Sequence, residues 1–143
     1  GGTFSNGAWR MLSYQHGFHA GNRADVLKHS VLHAILSAVA KESPSALYVE
    51  THSGRGRYDL DGAQSTKGGE AQDGVLSLLE DGAPKPLRPW LDLAKQRGRS
   101  DYPGSPALAQ QLLPSSSRMI FFENIQRNTR NSSKPSAQTS AFR

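Results

Sequence analysis

Ala46-Leu47-Tyr48-Val49-Glu50-Thr51-His52-Ser53-Gly54-Arg55-Gly56-Arg57-Tyr58 passes from a short apolar run into a loop with two glycines. The run follows the breaker pair Ser43-Pro44 and has strand length, so Ala46 to Val49 reads as a buried strand. The loop behind it, Gly54-x-Gly56, has glycine where a Cβ would collide with a ligand approaching the backbone. A strand that empties into such a turn is how a doubly wound α/β sheet receives a nucleoside cofactor. The same five letters also describe an ordinary glycine turn leaving a strand, so the flanking sequence has to choose between the two.

Upstream, Leu27, Val31, Ile35 and Ala38, flanked by Val26, Leu32 and Val39, repeat with helical spacing from Asn22 to Lys41. Asn22 is a capping residue, and the pattern predicts one helix with that apolar face buried. Downstream, Ser105-Pro106 is a helix-start signal, with Ser as cap and Pro in the first turn, and predicts a helix over Pro106 to Leu113. Met119-Ile120-Phe121-Phe122-Glu123 then reads as a second buried strand ending in a carboxylate. An acid at that strand tip accepts the ribose hydroxyls of a bound nucleoside, which favours the cofactor reading of the glycine turn. The usual separation is roughly 20 residues. Here it is much longer, and the polar stretch 59–101, broken by Gly68-Gly69, Asp81-Gly82, Pro84, Pro86 and Pro89, accounts for the excess as a looped-out helical subdomain. Two short helices are expected within it, near Val75 to Glu80 and Trp90 to Gln96.

The organisation expected is therefore an upstream extension over 1–10, an N-terminal segment with the first cofactor-binding strand and loop over 11–58, and the helical insertion over 59–101. A helix and second cofactor-binding strand follow over 102–123. The tail, 124–143, loses all apolar period and has no acid, with Arg127, Arg130, Lys134 and Arg143 scattered among Asn, Ser and Thr.

The chain has 143 residues, a net charge of +5 and no cysteine. Disulfides, thiolate zinc sites and cysteine nucleophiles are excluded together, and a reducing, cytoplasmic setting is expected. No run approaches the roughly 20 apolar residues of a membrane helix. Positive charge favours a polyanionic partner such as nucleic acid. Five histidines, His16, His19, His29, His33 and His52, crowd the first third. His29 and His33 are spaced like paired zinc ligands, but no carboxylate or cysteine completes a four-ligand set, so no metal is expected. They are read instead as hydrogen-bonding groups on a helix face or in a ligand pocket. Lys28 is either solvated or neutralises a carboxylate. Tyr14 and Phe18 either pack on the first helix or offer a ring on which an extruded base can stack.

Several segments together resemble one family. Met11-Leu12-Ser13-Tyr14, Phe18-His19-Ala20-Gly21-Asn22, Ala24-Asp25-Val26-Leu27-Lys28-His29, Thr51-His52-Ser53-Gly54-Arg55-Gly56-Arg57-Tyr58 and Tyr102-Pro103-Gly104-Ser105-Pro106 occur in the order found in the RlmJ family of 23S rRNA adenine-N6 methyltransferases. The resemblance runs from Met11 to Glu123. It implies a Rossmann-like class I S-adenosylmethionine-dependent methyltransferase fold with a helical insertion, here incomplete, acting on 23S rRNA without metal, as a monomer, at the family target adenine 2030. By position it implies that Lys28, His29, His52, Gly54, Gly56, Ser105 and Glu123 lie at S-adenosyl-L-methionine, and that Tyr14 and His16 face substrate RNA. Ser53 and Arg55 stand where the family's loop has alanines, and the arginine crowds the site unless it points to solvent. The family's Asp-Pro-Pro-Tyr motif, which accepts hydrogen bonds from the adenine amine, does not occur, so no catalytic residue is assigned. Family members are also described as serving the use of external DNA, which leaves nucleic-acid binding as the alternative, and a non-functional fragment as a third. Codon degeneracy from Asn124 onward permits a family-like amphipathic helix in another frame, so the tail is expected to be out of frame and disordered.

Overall fold

The computed structural model describes residues 16–122 and the backbone of 139–142. After a 3-10 turn at His16–Phe18, helix α1 spans Arg23–Glu42. Its Asn22 cap is as expected: the side-chain oxygen accepts the Asp25 N–H at 2.9 Å. Strand β1 (Leu47–Glu50) follows, then β2 (Arg57–Tyr58), α2 (Ala63–Gly68), a π-type turn at Gln72–Leu76, α3 (Ser77–Asp81) and α4 (Arg88–Arg97). The chain returns through β3 (Tyr102–Pro103), α5 (Ser105–Leu112) and β4 (Arg118–Phe122), and β5 spans Thr139–Phe142.

β1 and β4 pair in parallel, with Leu47 opposite Arg118 and Glu50 opposite Phe121. This is the relationship expected of two strands joined by a long helical crossover. The helices of 59–101 do not stand apart: Val75, Leu76, Trp90, Leu91, Leu93 and Ala94 share one apolar core with Leu36 of α1 and Leu108 and Ala109 of α5. β2 and β3 form a separate antiparallel pair that ties the glycine loop to the segment before α5.

Three expectations are corrected. The buried face of α1 is not the apolar stripe: Leu27, Val31 and Ile35 are 65, 50 and 55% exposed, while Asp25, Val26, His29, Ser30 and Leu36 are buried. The opposite face is the one turned to α4 and α5, because it meets the polar groups of the N-terminal segment and Tyr102. Nor is β1 buried on both sides. Tyr48 and Met119 pack on the core, whereas Leu47 and Val49 on the alternate face are 64 and 50% exposed. Finally, Thr139–Phe142 departs from the expected structureless tail by pairing antiparallel with β4, whose outer edge offers unpaired backbone donors and acceptors.

Candidate functional site

The glycine loop is held from three directions. At its start, the N–H and hydroxyl of Ser53 both donate to the carbonyl of Phe122, the last residue of β4, at 3.0 and 3.2 Å. On its far side, the Gly104 N–H donates to the Gly56 carbonyl at 2.8 Å, which docks the Tyr102-to-Pro106 segment on the loop. Across its middle, the Tyr58 hydroxyl accepts the Arg55 N–H at 3.3 Å. Gly54 and Gly56 both have positive φ, +62° and +76°, which an L side chain rarely adopts. A Cβ on Gly54 would also sit 2.5 Å from the Tyr58 hydroxyl, so both conformation and space demand glycine there. The loop thus lies at the C-terminal ends of two parallel strands, where open α/β sheets bind ligands.

Two carboxylates dominate the surroundings. Glu50, the last residue of β1, accepts a short hydrogen bond from the Ser105 hydroxyl and another from Tyr48 at 3.1 Å. Ser105 therefore does not cap α5; Gly104 occupies the cap position, and the hydroxyl turns to a charged acceptor instead. Burial and the Glu50 charge push the Tyr48 phenol well above its usual range, so it remains a donor. Asp25, fully buried, accepts from His16 Nε2 at 2.7 Å and from the Gly21 N–H at 3.0 Å, and its other oxygen lies 3.0 Å from Lys28 Nζ. Burial alone would raise its pKa, but the His16 bond and the cationic character of His29, His16 and Lys28 hold it at about 2.

The sequence-derived site residues divide accordingly. His16 joins the Asp25 cluster and sets its ring edge-on to Tyr58, 5.3 Å between centroids. Lys28 is largely exposed above the same carboxylate. His29 is buried, with Nδ1 3.1 Å from the Tyr102 hydroxyl; burial, aided by Lys28 and His16 against the opposing pull of Asp25, lowers its pKa to about 4. It is a neutral imidazole at neutral pH. His52 is exposed, paired with the Thr51 hydroxyl at 2.9 Å. Arg55 also points outward, its guanidinium 3.5 Å from Gln64, so it does not crowd the loop. Glu123 and Tyr14 lie outside the described residues, as does most of the tail. Among the described residues no cluster of metal-ligating side chains is present.

Sequence reasoning missed Glu50, Asp25, Tyr58 and Tyr102. An acid closing the strand just before Gly-x-Gly was a usable signal for Glu50. Nothing in one sequence marks Asp25, because its partners are brought in by the turn at His16–Phe18.

The family model described as "Ribosomal RNA large subunit methyltransferase D, RlmJ" matches residues 43–131, a span that contains the loop, both parallel strands and the Tyr102-to-Pro106 segment. The chain belongs to this family. It is 41% identical over 108 residues to Ribosomal RNA large subunit methyltransferase J of Escherichia coli, covering 72% of this chain and 39% of the relative. The namesake from Haemophilus influenzae is 40% identical over 119 residues, covering 79% and 42%. Among solved structures, Legionella pneumophila protein LPL1258, described by the family model DUF519, superposes with a TM-score of 0.65 at 33% identity, covering 76% of this chain and 41% of that one. This RlmJ-family chain thus spans about two fifths of the length of the relatives it matches, and the match runs past Glu123 into the stretch expected to be out of frame.

Proposed function

We propose that this chain carries the methyl-donor half of an enzyme that transfers a methyl group from S-adenosylmethionine to N6 of one adenine in 23S rRNA. The observation that supports this best is the glycine turn fixed between the end of β4 and the Tyr102-to-Ser105 segment, beside Glu50, in a chain of the RlmJ family. Gly54 and Gly56 leave backbone open to the cofactor; Ser105, His29 and Glu123 line its place, and His52 and Lys28 flank it. When bound, S-adenosylmethionine supplies an electrophilic methyl on a sulfonium. The chain's own contribution is to orient that donor: Ser105 and the Glu50 carboxylate fix the floor, and neutral His29, held by Tyr102, offers a ring nitrogen without adding charge next to the sulfonium. His16 and Tyr14 face the RNA. Lys28, exposed at the rim, provides a cation for phosphate, and Asp25 keeps it in place.

The chain has no Asp-Pro-Pro-Tyr segment. On this reading it binds donor but transfers no methyl group by itself. A chimera in which residues 16–122 replace the matching part of the Escherichia coli relative tests the assignment. It is expected to label 23S rRNA transcripts from methyl-labelled donor, with the label recovered as N6-methyladenine, while the 143 residues alone give none. A folded chimera that binds nucleic acid but never transfers methyl would favour a nucleic-acid-binding role instead.

A further inference from the structure

The apolar surface on this chain has a definite occupant. Leu27, Val31 and Ile35 recur at intervals of four along one face of α1, each at least half exposed. On the sheet, Leu47, Val49 and Phe122 share the face opposite Tyr48 and Met119, and are 64, 50 and 42% exposed. Parallel strands are characteristically covered on both faces, since their crossovers place helices there, and their runs are apolar for that reason. Here only the Tyr48–Met119 face meets the core. Among the described residues β1 also has a single partner strand, β4, so its outer edge is open. These features are what a half-built doubly wound sheet presents, and the solved relative supplies the rest: only 41% of that chain is matched by this one.

We propose that the α1 stripe and the open side of β1 form a docking seam for the part of an RlmJ-family domain that this chain does not span. That part would add a strand along β1 and lay apolar helix faces over Leu47, Val49 and Phe122. The inference concerns assembly, and it stands or falls separately from the methyl-transfer reading.

The test is co-expression of the full 143-residue chain with the portion of the Escherichia coli relative that it does not match, followed by native mass measurement and hydrogen exchange. The expected result is a one-to-one complex in which amides of Leu47–Glu50 gain protection. L27E with I35E, on an exposed helical face and so compatible with folding, should leave the chain's circular dichroism unchanged and weaken the complex by more than about tenfold, because charge is forced into an apolar seam. A self-dimer of the chain through this surface, absence of any complex with a folded chain, or a complex indifferent to L27E with I35E would each overturn the proposal. Methyl transfer is not read in this experiment, so an inactive complex still supports the seam.

Discussion

Ser53 donates twice to the carbonyl of Phe122, through its N–H at 3.0 Å and its hydroxyl at 3.2 Å, and thereby fastens the glycine loop to the end of the second parallel strand. The N–H bond is independent of side chain; the hydroxyl bond is an addition where the family's loop has alanine. Ser53→Ala is therefore expected to lower stability by only about 0.5–1.5 kcal/mol, the net worth of one such bond, without moving the loop. Urea unfolding measures this, and a loss several times larger would mean that the hydroxyl organises the loop.

Gly54 gives a sharper prediction. Its φ of +62° costs an L residue roughly 1–2 kcal/mol, and a Cβ there meets the Tyr58 hydroxyl at 2.5 Å. Gly54→Ala should destabilise by more than the backbone term alone. Adding Tyr58→Phe removes the colliding oxygen, so the double variant should be less destabilised than the sum of the two single ones. Simple additivity in a thermal-unfolding cycle would contradict the collision.

Acid should unfold this chain in two stages. His29 is held at about 4 from 6.5 by burial first, so between those values the unfolded chain takes up a proton that the folded chain refuses, and stability falls as pH drops. The cost approaches about 3 kcal/mol at the lower end. Asp25 lies at about 2 against 3.8, so its contribution is complete above the unfolded value and is lost as pH falls from 3.8 towards 2, about 2 kcal/mol in all. His29→Gln should flatten the first stage only, and Asp25→Asn the second; denaturant midpoints from pH 7 to 3 show which.

Asp25→Asn carries a further expectation at neutral pH. Removing a fully buried charge from between His16 and Lys28 leaves its partners uncompensated and should cost about 3 kcal/mol. Lys28→Met, at a largely exposed position, should cost less than about 1 kcal/mol. Comparable losses for the two would place the stabilising interaction at Lys28 instead.

Elements that announce themselves locally were legible in the sequence. Asn22 opens α1 because its side chain satisfies a free N–H, and β1 and β4 are where short apolar runs lie between breakers. Which side of an element is buried was not legible. The Leu27-Val31-Ile35 stripe has the period of a core face, but the face of α1 that packs carries Asp25, His29 and Ser30, whose burial depends on His16, Gly21 and Tyr102 arriving from elsewhere. For the same reason the glycine turn was found from spacing, whereas Glu50 was overlooked until Ser105 was seen to bond it across the fold.

The central claim is that the Gly54–Gly56 turn, Ser105 and the end of β4 form one cradle for a methyl-donor nucleoside. Titrating the 15N-labelled chain with S-adenosylhomocysteine, the demethylated donor, addresses it residue by residue. The account predicts saturable shifts of the Gly54, Gly56 and Ser105 amides along a single binding curve, abolished by Gly56→Val. No saturable shift from a folded chain, or shifts confined to surfaces away from that turn, would contradict it.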